Sequence, residues 1–137
     1  MSVSVSIIVP CYNVAAYLDQ CMESLTGQSM EDIEIICVND GSSDRTAEIL
    51  REWRNRDRRV RIIDQKNSGV SAARNSGMEA AAGTYIGFVD PDDMVERNMF
   101  QRLFTAAAEK DADVAVCGYH EFCDCGDMDM PESGWSP

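Results

Sequence analysis

The stretch Tyr85 to Asp93, YIGFVDPDD, begins as an apolar run and ends in Asp90, Asp92 and Asp93, three carboxylates within four positions. Like charges packed this closely cost free energy unless a cation, hydrogen-bond donors or a helix end receives them. A helix start uses one capping side chain, and Asp93 is assigned that cap ahead of a helix beginning near Val95. Asp90 and Asp92 are left flanking Pro91, whose fixed φ stiffens the turn and removes an N–H. Two carboxylates held in this way, with few cations nearby in sequence, suit a hard divalent ion that keeps open positions for phosphate oxygens. A diphosphate is the group such an ion would bridge.

Three other junctions carry similar polar clusters: Pro10-Cys11-Tyr12-Asn13, the run Asn39-Asp40-Gly41-Ser42-Ser43-Asp44, and Asn67-Ser68-Gly69. Pro10 and Asn13 could simply turn the chain and cap a helix, and NDGSSD could be a tight turn with a Ser42 or Ser43 cap. A diphosphate also needs positive charge, which a chain of formal net charge -12 offers sparingly. The helix N-termini are one source. Arg74, in the small-residue run SGVSAARN, is the other, although an arginine there could equally pair with a surface carboxylate.

Apolar, β-branched segments alternate with amphipathic ones of helical length, the rhythm of βαβ units. Strands are predicted at Val3–Val9, Ile33–Val38, Val60–Ile63, Tyr85–Val89 and Val114–Cys117, each too apolar to be wet on one face. Helices are predicted at Ala15–Leu25, Asp44–Asn55, Val70–Ala81 and Val95–Lys110. Ala15, Leu18, Met22 and Leu25 in the first, and Leu103, Phe104 and Ala107 in the last, are read as core. Together these elements make a parallel sheet covered by helices. In such a sheet ligands bind beyond the carboxyl ends of the strands, so all four polar junctions should open onto one rim.

With 137 residues and 45% apolar composition, the chain suits one domain that buries about two-thirds of its unfolded surface. Its apolar runs are too short to cross a bilayer and the N-terminus lacks signal-peptide order, so a cytoplasmic protein is expected. Eight of the twelve Lys and Arg residues fall between Arg45 and Lys66, and both ends are acidic. That field repels nucleic acid, and the cluster at Trp53 to Arg61 reads as a solvated helix end. Cys11, Cys21, Cys37 and Cys117 lie in or beside apolar segments, where reduced Cys acts as a small hydrophobe. His120, Cys123 and Cys125 form H-x-x-C-x-C, short of the paired spacing usual in zinc sites. Beyond Glu121 the pattern decays into an acidic, turn-rich tail.

The segments SIIVPCYNVAAYLDQCMESL, DIEIICVNDGSSDRTAEIL and NSGVSAARNSGMEAAAGTYIGFVDPDDM closely resemble the family 2 glycosyltransferases, whose catalytic domain has the GT-A nucleotide-diphosphosugar-binding fold. The similarity runs from about Val3 to Tyr119. It implies an α/β three-layer sandwich with a mostly parallel central sheet, cut short: residues 1–119 form the nucleotide-sugar-binding part and residues 120–137 an irregular tail. Carried over by position, it implies that Pro10, Tyr12 and Asn13 line the nucleotide pocket. Asp40 would accept the base N3–H, which suits uracil and repels the unprotonated N3 of cytosine. Arg74 would lie near the base or diphosphate and Asp90 near the ribose, while Asp92 would hold Mg or Mn against both phosphates.

The resemblance further implies an inverting transfer from a nucleotide diphosphosugar, UDP-linked, to a hydroxyl of a glycan or lipid-linked acceptor. The catalytic base is expected beyond residue 137; none of Glu121, Asp124, Asp127 or Asp129 is assigned that role. Any contact with the inner face of a membrane would come through the remaining part, and an apolar edge left open would favour homo-oligomers. The alternative is a non-catalytic nucleotide-binding or regulatory module of the same fold. A Rossmann dehydrogenase is set aside because PCYN stands where G-x-G-x-x-G would follow the first strand.

Overall fold

Val5–Cys11 (β1) and Ile33–Asp40 (β2) are buried along their whole lengths. Strands buried on both faces need helices above and below, and helical crossovers make the ladder parallel. The computed structural model, which describes residues 2–121, has that form. Val60–Gln65 (β3) and Tyr85–Phe88 (β4) complete a parallel four-stranded sheet in the order β3-β2-β1-β4. Ala15–Thr26 (α1), Thr46–Arg56 (α2), Val70–Ala80 (α3) and Met99–Glu109 (α4) connect and cover it. The expected α/β three-layer sandwich is therefore present.

On one face Ile7, Val9, Ile35 and Cys37 meet Leu18, Met22 and Leu25 of α1, Leu50 of α2 and Phe100 of α4. Burial of each large side chain there contributes about 1.5–3 kcal/mol. On the other face α3 sets Ala73 against Ile36 and Val38. Its small residues permit a close approach: a Cβ on Gly77 would lie 2.5 Å from Ile8 Cγ2. No helix among the described residues is long and apolar enough to cross a membrane.

At the amino end of the sheet lies a charged knot. Glu34, only 6% exposed, accepts hydrogen bonds from Ser6 Oγ at 2.6 Å, Arg61 Nη1 at 2.7 Å and the Ala82 N–H at 2.7 Å. Burial pushes its carboxyl up, but these donors outweigh burial and hold it below the usual range. Ser6 Oγ in turn accepts from the Gly83 N–H at 2.8 Å, so the knot fastens the α3–β4 loop to β1 and β2.

Three expectations are corrected. Val114–Cys117 is not a strand: Val114 and Val116 are 76% and 82% exposed and Cys117 is exposed. A β-branched run becomes a strand only where a ladder receives its backbone groups, and β4 pairs with β1 alone among the described residues. The last helix starts at Met99, four residues later than Val95, so Asp93 does not cap it. Instead the Asp93 N–H donates to the Asp90 carbonyl at 3.0 Å, closing a turn with Pro91 at its second position, where proline fits best. Cys11, Cys21 and Cys37 are buried free thiols as expected, while Cys123 and Cys125 lie outside the described residues.

Candidate functional site

Beyond the carboxyl ends of β1 and β2, against the start of α3, lies a pocket of about 250 Å³ lined by Pro10, Cys11, Tyr12, Asp40, Asn67, Gly69, Val70 and Ala73. Tyr12 stands 51% exposed at its mouth, offering an aromatic face. Asp40, the last residue of β2, is buried in its wall. Its Oδ1 accepts from Gln65 Nε2 at 2.9 Å and the Ser68 N–H at 2.8 Å, and its Oδ2 from the Gly69 N–H at 2.9 Å. Burial raises the carboxyl, yet these three donors prevail and hold it below the ordinary carboxylate range. A site at pH 7 thus presents a full negative charge to whatever enters.

Two loops must come close for this wall to form. Gly41 has φ 71°, and a Cβ on it would fall 2.7 Å from the Asn67 nitrogen, so the β2–α2 and β3–α3 loops touch only because Gly41 has no side chain. The neighbouring β1–α1 and β2–α2 loops cap each other. Asn13 Oδ1 accepts from the Ser43 N–H at 2.8 Å and the Asp44 N–H at 3.3 Å. In return Thr46 Oγ1 accepts from the Val14 N–H at 3.0 Å and Asp44 Oδ2 from the Ala15 N–H at 3.2 Å. The start of α1 is thus satisfied by Thr46 and Asp44, while Asn13 braces the loop ahead of α2, whose Thr46 N–H donates to Asp44 Oδ1 at 2.9 Å.

The acidic turn sits at the carboxyl end of β4. Carboxylate oxygens of Asp90, Asp92 and Asp93 all lie within 4.8 Å of one another, and all three residues are exposed. Arg74 Nη2 donates to Asp90 Oδ1 at 3.2 Å, which ties the turn to the second turn of α3, one residue past pocket-lining Ala73. Burial first, then the charges of Asp92 and Asp90, push the Asp93 carboxyl up. Beneath the turn Cys21 Sγ points to the Asp90 carbonyl at 3.7 Å. Burial first, then Cys11 and the three acids, push that thiol up to about 12, so it stays protonated. Hard oxygen donors at this spacing fit a hard divalent cation and suit a soft one poorly.

A larger groove of about 490 Å³ runs between α1 and α2 past Asp19, Glu23, Glu52, Trp53 and Arg56. There Trp53 Nε1 donates to Asp19 at 2.8 Å and the Arg56 guanidinium stacks 5.0 Å from the indole centroid. The indole thus ties α2 to α1, and the groove lies away from the strand ends where parallel sheets bind ligands. The smaller pocket is the candidate site.

A family model, Glycosyl transferase family 2, matches residues 6–135. The chain belongs to glycosyl transferase family 2. It is 52% identical to the uncharacterized glycosyltransferase EpsJ of Bacillus subtilis (strain 168) over 117 residues, 85% of this chain and 34% of that protein. With the glycosyltransferase GlyA of Streptococcus pneumoniae it shares 43% identity over 118 residues, 86% of this chain and 17% of that protein. Among solved structures, S. aureus TarS 1-349 in complex with UDP-GlcNAc superposes with a TM-score of 0.73 at 29% identity, over 77% of this chain and 31% of that one. The sheet and its helices thus have the GT-A arrangement. The chain spans about a third or less of the length of these relatives.

Within this family member, Pro10, Tyr12 and Asp40 share the pocket, and Arg74 and Asp90 are joined to each other beside Asp92. Asn13 is not among the pocket-lining residues; its side chain caps the neighbouring loop. One residue was given the wrong role in the sequence and one went unnoticed. Asp93 belongs with the acid cluster, a role hidden by its resemblance to a helix cap. Gln65 supports Asp40 from the end of β3 and looked like an ordinary polar residue after an apolar run.

Proposed function

We propose that this chain is the donor-binding part of an inverting glycosyltransferase. The whole enzyme moves a sugar from a nucleotide diphosphosugar, UDP-linked, to an acceptor hydroxyl in glycan or cell-surface polysaccharide synthesis. The observation that carries this reading is the junction of two features: a pocket walled by Tyr12 and Asp40, and a three-carboxylate turn fastened beside it by the Arg74–Asp90 pair. The likeness to TarS in complex with UDP-GlcNAc supports it.

In this reading the base stacks on Tyr12 and sits over Pro10, and Asp40 accepts its N3–H. Asp90 lies near the ribose. Asp92, with Asp90 and Asp93, would hold Mn or Mg, which supplies Lewis-acid stabilisation to the departing diphosphate. Arg74 balances part of the turn's charge, so the acids stay poised for a cation without repelling the phosphates outright. An acceptor hydroxyl attacks the anomeric carbon from the face opposite the diphosphate, its proton taken by a base from beyond residue 137.

A thermal-shift panel of UDP, GDP and CDP, each with and without Mn, tests the reading. UDP with Mn is expected to raise Tm by several degrees, since a ligand that binds only the folded state stabilises it. No shift with any of the three contradicts it.

A further inference from the structure

The hydrogen bonds around Asp40 do more than hold a carboxylate in place. A carboxylate offers about four acceptor positions. Gln65 Nε2 and the Ser68 N–H occupy both on Oδ1, and the Gly69 N–H occupies one on Oδ2. One position, on Oδ2, is left for a ligand in the pocket that Asp40 lines. Gln65 is itself oriented: its Oε1 accepts from Ser76 Oγ at 2.6 Å, which fixes the amide so that the NH2 faces Asp40. A relay therefore runs from α3 through the end of β3 to the end of β2.

We infer that Gln65, steered by Ser76, is a positioning residue that sets nucleobase choice by leaving Asp40 able to accept a single hydrogen bond. The inference rests on the reading of this pocket as a nucleotide site and deepens it. Uracil presents one donor, N3–H, between two carbonyl acceptors, and matches the single open position. Guanine presents two adjacent donors, N1–H and the 2-amino group, which a carboxylate meets with one oxygen each. With Oδ1 filled from within the protein, the second of those donors is desolvated without a partner, which is costly in a closed pocket. Cytosine places an unprotonated N3 against the remaining oxygen, and two acceptors face each other.

Calorimetric titration of the full chain with UDP and GDP in the presence of Mn tests this, with the ratio of the two Kd values as the readout. The unsubstituted protein is expected to favour UDP by at least about tenfold. Gln65→Ala frees the Oδ1 position and the space beside it, and the preference should fall to within about threefold. Ser76→Ala, a small change at a half-buried helix position that also gives up the Oγ contact with the Ala72 carbonyl at 3.0 Å, should move the ratio in the same direction by a smaller factor, and it remains informative if Gln65→Ala does not fold. A purely structural Gln65 would weaken both nucleotides alike and leave the ratio unchanged, which overturns the inference alone. Equal or tighter binding of GDP by the unsubstituted protein also overturns it while leaving a nucleotide site. Binding of neither nucleotide overturns both the site and the inference.

Discussion

The sheet carries acids at both ends, and the two ends treat them in opposite ways. At the amino end Glu34 is buried and takes three donors from Ser6, Arg61 and Ala82. At the carboxyl end Asp90, Asp92 and Asp93 are exposed and crowd one another, with Arg74 on Asp90 as the ion pair recorded there. Glu34 is held below the usual carboxylate range, while Asp93 is pushed above it. An acid that serves the fold finds its partners within the fold. Acids that the fold leaves in mutual repulsion suit a partner from outside, and on this rim the partner we propose is a cation with a diphosphate.

Substitutions should separate the two ends. Glu34→Ala leaves the Ser6 hydroxyl, the Ala82 N–H and the Arg61 guanidinium without their acceptor, and a loss of about 3 kcal/mol is expected in urea unfolding. A loss below about 1 kcal/mol would break the comparison. Asp44→Ala removes the acceptor for the Ala15 and Thr46 N–H groups, and about 1 kcal/mol should follow, measured the same way. At the carboxyl end, where Asp44 also lies, Asp93→Asn relieves repulsion that solvent already screens, so a gain of no more than about 0.5 kcal/mol is expected.

The pH dependence sharpens the contrast, because the signs differ. Glu34 and Asp40 have lowered values in the fold, so their stabilisation is present above the unfolded values of about 4.3 and 3.9 and is lost as pH falls through the lowered ones. Asp93 has a raised value, so its penalty is present above that value and fades as pH falls through it. The gain from Asp93→Asn should therefore be seen near neutrality and vanish in acid, whereas the cost of Glu34→Ala shrinks only at lower pH. Urea midpoints at a series of pH values would show it.

Apolar runs and their β-branched residues located four strands; burial on both faces writes itself directly into the composition of β1 and β2, whereas β4 leaves Ile86 and Phe88 exposed, against the expectation that each strand is too apolar to be wet on one face. Their carboxyl ends were less legible. β2 and β3 run two residues further than apolarity suggests, because the ladder continues through Asn39 opposite Asp64 and Asp40 opposite Gln65. Those extra residues are where the site is built, so a rule that ends a strand at its first polar residue misses Gln65. Glu34 was hidden for the converse reason: a charged residue inside a buried strand becomes intelligible only when Ser6, 28 residues away in sequence, is found beside it. Val114–Cys117 had the residue types of a strand without a ladder to join.

As proposed, a divalent cation and a nucleoside diphosphate complete the acidic rim. Isothermal titration with UDP, with and without Mn, on the unsubstituted chain and on Asp92→Ala tests it most directly. Mn-dependent binding of UDP that falls by at least about tenfold in Asp92→Ala, with unfolding stability unchanged, is the expected result. UDP binding that is indifferent both to Mn and to the loss of Asp92 would contradict it.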